Sequence, residues 1–265
     1  MDMVRPGSIE AALEALSDHA GAAILSGGTD LMVQVNQAHI RPEAVVSVRR
    51  VDELRRWEPG FVGAGVTYAR LEMEAHGALA ELARAVGSPQ IRAWGTIGGN
   101  LGTASPAGDS LPWLAALDAD VVLASLEGIR RLRWDKFLLG PKQTGIRPGE
   151  LILGVEVPAD PPERQAFAKV GVRQAMVISI ASCCVMRSDD GTTRVALGSV
   201  GPTVLRAQRA EQMISPIAQP SSADLAEFSR LVEEEVRPIT DHRATAEYRR
   251  HAAGVIARRC LERVL

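Results

Sequence analysis

The chain has 265 residues, is 46% hydrophobic and 23% charged, and carries a formal net charge of -2 at pH 7. That composition is globular, with chain enough for one large or two modest domains, and it excludes a global attraction to nucleic acid or to an anionic membrane. No apolar run approaches the roughly 18 residues of a spanning helix, and no signal-peptide core follows Met1-Asp2-Met3-Val4-Arg5-Pro6, so a reducing, cytoplasmic setting is expected.

In chain order, Ser8 caps a helix over Ile9 to His19, with Ile9, Leu13 and Leu16 on one face and Gly21 as its stop. Ala22 to Leu25 is a short strand, and Leu31 to Val35 a helical turn. Ala44 to Val48 and Phe61 to Ala64 read as strands. Leu79 to Val86 is a helix ended by Gly87-Ser88-Pro89. Asp109 to Leu117 is a helical turn, and Asp120 to Ala124, Arg131 to Trp134 and Ile152 to Val157 are strands. Such a mix reads as α+β, with a boundary at Pro158 to Pro162. Beyond it, Phe167 to Val172, Ile178 to Met186 and Thr193 to Val200 form a meander that turns at Asp189-Asp190-Gly191. Helices over Leu205 to Met213, Ser222 to Val236 and Ala244 to Val264 close the chain.

The three cysteines form no Cys-x-x-Cys, so a cysteine-ligated cluster on this chain is not expected. Cys183 and Cys184 are neighbours in a strand pattern and should face opposite ways as small buried hydrophobes. The five histidines show no metal-ligand spacing. Gly63-Ala64-Gly65-Val66-Thr67-Tyr68 begins like a dinucleotide-binding turn but lacks the third glycine, and no P-loop is present.

Two glycine-rich stretches remain. Ser26-Gly27-Gly28-Thr29-Asp30-Leu31 joins a strand to a helical turn. Gly95-Thr96-Ile97-Gly98-Gly99-Asn100-Leu101-Gly102-Thr103-Ala104-Ser105-Pro106-Ala107-Gly108-Asp109 reads as a loop that gathers glycines, hydroxyls, an amide and an acid. Paired glycines cost conformational entropy, and close approach of a ligand to the main chain is one reason to keep them. Consecutive N–H groups in the first stretch can form an anion nest; a plain tight turn is the alternative. Together the stretches suit a phosphate-and-sugar ligand held from both sides, such as a dinucleotide.

With these motifs, the chain resembles nearly end to end the FAD-binding medium subunit of molybdenum hydroxylases, the group of xanthine dehydrogenase and carbon monoxide dehydrogenase. Arg5-Pro6, Gly87-Ser88-Pro89-Gln90-Ile91-Arg92, Glu150-Leu151-Ile152 and Lys169-Val170-Gly171-Val172-Arg173 carry it further. So do Val200-Gly201-Pro202-Thr203 with Arg206, and Asp241-His242-Arg243 with Tyr248-Arg249. The resemblance implies an α+β fold. A two-lobed FAD-binding domain of the vanillyl-alcohol-oxidase type would span residues 1–160. A small C-terminal α+β domain of the carbon monoxide dehydrogenase flavoprotein type, a three-stranded meander plus helices, would span 161–265.

It implies that Ile24, Leu25, Ser26, Gly27, Gly28, Thr29, Asp30 and Leu31 wrap the FAD pyrophosphate. Thr96, Gly99, Asn100 and Thr103 would line the cofactor on the other side, with Asp109 on its hydroxyls. Ile152 would touch the ring or the adenine end, and Lys169 would sit near the flavin ring. No residue takes a catalytic or metal-binding role. Iron–sulfur clusters and the molybdenum cofactor would lie on small and large partner subunits, in a dimer of heterotrimers. Electrons would pass through FAD to NAD, oxygen or another acceptor. One departure stands out in Arg173-Gln174-Ala175-Met176-Val177-Ile178: Val177 replaces an acid common in the family, and Ile178 falls where relatives place a side chain over the flavin. Two rivals are a self-sufficient flavin oxidase or dehydrogenase, and an assembly protein that has lost the flavin.

Overall fold

The computed structural model describes residues 1–265. Strands β1 (Asp2–Val4), β2 (Ala23–Leu25) and β3 (Ala44–Ser47) form a parallel sheet in the order β1-β3-β2, with helices α1 (Ile9–Asp18) and α2 (Leu31–Asn36) in its connections. Helix α1 starts as expected. Ser8 Oγ accepts from the Ala11 N–H at 3.2 Å, and Ala12, Leu13, Ala15 and Leu16 are buried, while Ile9 is only half-covered.

The second lobe begins with β4 (Trp57–Glu58) and β5 (Phe61–Gly63). A helical run follows: α3 (Tyr68–Glu74), α4 (Gly77–Ala85), α5 (Pro89–Trp94), α6 (Ile97–Thr103) and α7 (Leu111–Ala116). Then come β6 (Asp120–Ser125), β7 (Gly128–Arg133), α8 (Trp134–Phe137), β8 (Leu138–Gly140), β9 (Gln143–Thr144) and β10 (Leu151–Glu156). The main sheet here is antiparallel, ordered β4-β5-β10-β6-β7.

The last part holds β11 (Arg164–Val170), β12 (Ala181–Arg187), β13 (Thr193–Gly198) and β14 (Leu205–Arg206), then α9 (Gln208–Ile214), α10 (Ser222–Glu235) and α11 (Ala246–Val264). All seven residues of β12 are buried, because its sheet is covered on both faces. Phe167, Cys184, Met186 and Ala196 join the core of the preceding lobes. Ala166, Cys183, Val185 and Leu197 join a second core with α10 and α11. The opposite orientation of Cys183 and Cys184 is as the period of a strand requires. No helix is long and apolar enough to cross a membrane.

Several expectations need correction. The meander has a fourth strand: Leu205 and Arg206 pair with Leu197 and Ala196, so the following helix starts at Gln208 and not at Leu205. Trp134 opens α8 and does not belong to a strand. Ser88 and Pro89 end one helix and also start another, with Ser88 Oγ accepting from the Ile91 N–H. The second glycine-rich stretch, read as a loop, holds helix α6 in its first half. Thr96 Oγ1 caps α6 by accepting from the Gly99 N–H at 3.0 Å, and Ala104 ends the helix in the left-handed region.

Tertiary packing explains that helix. A Cβ added at Gly98 would lie 2.5 Å from Ala64 Cβ and 2.8 Å from the Ala64 carbonyl oxygen. Gly102 is exposed, and its added Cβ would meet only Ile152 Cδ1, at 3.8 Å. Gly98→Ala should therefore destabilise the chain by about 1–3 kcal/mol through overpacking. Gly102→Ala should be neutral or stabilising by up to about 1 kcal/mol through helix propensity. Denaturant unfolding of the two variants checks the contrast.

Candidate functional site

The two glycine-rich stretches abut along one seam. At Gly27 an added Cβ would sit 1.9 Å from the Trp94 carbonyl oxygen, so main chain meets main chain there. Gly28 has φ +75°, a left-handed conformation that suits glycine. Two side-chain contacts fasten the seam. Ser26 Oγ lies 2.9 Å from Thr96 Oγ1, and Thr103 Oγ1 donates to Asp30 Oδ2 at 3.3 Å. Asp30 also accepts from Gln34 Nε2 at 2.6 Å. Ile24 and Leu25 hold the entry to this turn by pairing with Val46 and Ser47, and Leu31 opens α2 on its far side.

The two sides contribute different chemistry. The N–H groups of Gly27, Gly28, Thr29 and Asp30 have no acceptor within the chain, and these residues are only half-buried. A run of unpaired main-chain donors is what an anion nest requires. Across the seam the donors are already used: Ile97 N–H bonds Val66 O at 3.1 Å, Gly98 N–H bonds Ala64 O at 2.9 Å, and Gly99 N–H bonds the Thr96 cap. Gly99 therefore supplies room and no donor. Its added Cβ would meet nothing but Thr96 Oγ1, at 3.2 Å, so internal packing does not demand a glycine there.

One end of the seam opens into a cavity of about 440 Å³, lined by Val86, Gly87, Ser88, Ile91, Asn100, Ala107, Gly108, Asp109, Met176, Val177 and Ile178. Asp109 and Lys169 meet beneath it, with Lys169 Nζ 2.6 Å from Asp109 Oδ2. Both side chains are about nine-tenths buried, at 8% and 11% exposure. Ser179 Oγ donates to Asp109 Oδ1 at 2.5 Å. Lys169 Nζ also donates to Ala85 O at 2.7 Å and Val177 O at 3.2 Å, which uses all three ammonium protons. Burial pushes the Asp109 carboxyl up from its usual range, and the Lys169 ammonium and the Lys169 and Ser179 hydrogen bonds pull against it.

Ile152 stands apart from this cavity. It is buried in β10 and touches α6 at Gly102. Val177 packs its side chain on Gly171, where an added Cβ would lie 2.4 Å from Val177 Cγ1. Sequence reasoning missed Tyr68, Ser110 and Ser179. Tyr68 ends the glycine motif read as a failed dinucleotide turn, and Ser110 directly follows Asp109, but no local pattern marks either as reaching the seam. A larger cavity, about 640 Å³, lies between the end of α1, the β6–β7 turn and residues 147–150, and shares no lining residue with the seam.

The buried ion pair gives a direct test. Lys169→Met leaves a carboxylate buried without its counter-charge and should cost about 3–5 kcal/mol. Adding Asp109→Asn removes that charge and should recover a large part of the loss. Chemical denaturation of both variants, without added ligand, reads the difference.

Set beside known proteins, residues 1–160 match the family model described as FAD binding domain in molybdopterin dehydrogenase, and residues 166–264 match CO dehydrogenase flavoprotein C-terminal domain. The nicotinate dehydrogenase FAD-subunit of Eubacterium barkeri is 34% identical over 72% of this chain and 71% of its own. Caffeine dehydrogenase subunit beta of Pseudomonas sp. (strain CBB1) is 30% identical over 99% of this chain and 94% of its own. A solved carbon monoxide dehydrogenase from Hydrogenophaga pseudoflava superposes with TM-score 0.91 at 28% identity, covering 100% of this chain and 96% of that one. Two family models in succession cover nearly the whole chain, and relatives and a solved structure share its length and fold: this chain belongs to the FAD-binding medium subunits of the molybdenum hydroxylase family.

Proposed function

We propose that the seam between the glycine-rich stretches holds FAD, that electrons reach it from iron–sulfur clusters on a partner subunit, and that they leave for NAD, oxygen or another acceptor. The four N–H groups of Gly27 to Asp30, free of internal partners, together with the room left at Gly99 across the seam, carry this reading. They suit the pyrophosphate of a dinucleotide, because consecutive main-chain donors hold an anion without a counter-charge. The Asn100 amide and the remaining lone pairs of Asp109 suit hydroxyl or carbonyl groups of such a ligand. Lys169 holds Asp109, Ala85 and Val177 in one arrangement and keeps the wall of the cavity in place. FAD, when bound, supplies the redox chemistry, since it accepts two electrons and releases them singly or in pairs.

As a member of its family the chain is an oxidoreductase subunit that works in a complex. In this reading the small partner carries the iron–sulfur clusters, the large one carries molybdenum, and the assembly is a dimer of heterotrimers. Residues 1–160 would be the cofactor-binding part, and 161–265 would brace it through the β11–β13 sheet. The cavity favours electron transfer over substrate chemistry on this chain. Its only ionisable lining residue is Asp109, already engaged by Lys169 and Ser179, and no histidine or tyrosine lines it.

Two measurements test the reading. Gly99→Val should purify folded but with most of its FAD lost, and full flavin content in that variant would refute the seam. Under anaerobic conditions the isolated chain should show no bleaching of flavin absorbance with purines, aldehydes or aromatic heterocycles. With its iron–sulfur and molybdenum subunits added, the substrate of the complex should bleach it. Equal bleaching rates with and without the partners would identify a self-sufficient enzyme.

A further inference from the structure

We propose that Tyr68 is a positioning residue for the cofactor seam, acting through Ser110 to fix which way the Asn100 side-chain amide faces. The inference rests on the FAD reading above. Ser110 is fully buried, and its Oγ donates to Asn100 Oδ1 at 2.6 Å. A hydroxyl carries one proton. With that proton committed to Asn100, Ser110 Oγ meets the Tyr68 hydroxyl, 3.2 Å away, as an acceptor. The chain of donors then runs one way, from Tyr68 to Ser110 to Asn100.

Tyr68 is 3% exposed, and its hydroxyl has no other partner in the chain. Burial keeps the phenol protonated, the Asp109 charge adding to this while the Ser110 hydrogen bond acts against it. A flipped Asn100 amide would donate to Ser110, whose oxygen can accept from Tyr68 as well. Either the Ser110 proton or the phenol proton would then be buried with no acceptor, which folded proteins avoid. By donating to Ser110, the Tyr68 hydroxyl turns the Ser110 proton toward Asn100 and strengthens the bond donated there, which favours the amide orientation seen. It leaves Asn100 Nδ2, which has no partner within the chain, as the donor at the cavity that Asn100 lines.

The surrounding glycines permit this arrangement. A Cβ at Gly108 would sit 2.7 Å from Asn100 Oδ1 and 3.1 Å from Nδ2, so the amide is walled in closely. Tyr68 is rooted beside the same stretch: its N–H bonds Gly95 O at 3.0 Å, Thr67 bridges Thr96, and an added Cβ at Gly95 would lie 3.4 Å from Tyr68 Cδ2.

The experiment is a double-mutant cycle read by FAD titration of the full-length chain, with the visible absorption spectrum of the bound flavin as a second readout. Tyr68→Phe keeps the ring and removes only the hydroxyl. It should weaken FAD binding roughly 3- to 10-fold, the size expected for one misdirected hydrogen bond, and should shift the flavin bands. In an Asn100→Ala background the same change should have no effect, since the amide it orients is gone. Ser110→Ala should reproduce the loss independently, should Tyr68→Phe fold poorly. An equal loss in both backgrounds would mean that Tyr68 acts by packing, and it overturns the relay. So does an unchanged affinity in Tyr68→Phe when Asn100→Ala alone weakens binding. If Asn100→Ala and Gly99→Val both bind FAD normally, the seam is not the cofactor site and the relay falls with it.

Discussion

The close approach of Gly27 to the Trp94 carbonyl governs the rest of the site. There is no space for even a methyl group between these two main chains, as the 1.9 Å clearance to an added Cβ shows. Once they touch, Ser26 reaches Thr96 and Asp30 reaches Thr103 across 70 and 73 residues of sequence. The turn after β2 is then held open, with its N–H groups turned away from internal acceptors. In an isolated peptide water would satisfy those groups. In the folded chain they are half-buried and have no acceptor within the protein.

The seam would be a groove between two lobes without its floor, which the β11–β13 sheet supplies. Lys169 on β11 reaches Asp109 after the second glycine stretch and Ala85 at the end of α4. A buried pair of this kind contributes little net stability, because desolvation consumes most of the attraction. Its effect is on arrangement: only one placement of β11 satisfies the ammonium and the carboxylate together. The segment Met176 to Ile178 is tied in by the Val177 carbonyl, which accepts from Lys169, and by the Val177 side chain against Gly171. The Val177 and Ile178 side chains give the cavity an apolar rim there.

Polar groups at the seam divide into those that hold the protein and those left for a ligand. Thr96 Oγ1 is taken up by the Gly99 N–H and the Ser26 hydroxyl, and Ser110, Ser179 and Lys169 spend their protons on protein acceptors. The Gly27 to Asp30 N–H groups and Asn100 Nδ2 do not. Because the first set is buried and satisfied, the second set is fixed in direction before any ligand arrives. Such preorganisation lowers the ordering cost of binding.

Much of this was legible in the sequence. Ser8 with its apolar face marks α1, the period of two sets Cys183 and Cys184 on opposite faces, and the paired glycines at 27–28 and 98–99 mark the seam. Local pattern could not separate their roles. Glycine is a poor helix former, so residues 96–103 read as a loop, and only packing against Ala64 makes Gly98 a helix glycine. The two-residue strand at Leu205 and Arg206 is too short for any periodicity and exists through its pairing with β13. Asp109 and Lys169 were each singled out by motif, yet their contact spans 60 residues and depends on how a sheet docks. Tyr68 and Ser110, 42 residues apart, were invisible for the same reason. The sequence by itself determined which segments bend, pair and approach closely, because those are properties of neighbouring residues. Which donors are spent and which stay free was decided only by the tertiary structure, because a hydrogen bond between distant segments depends on where the whole chain places both ends.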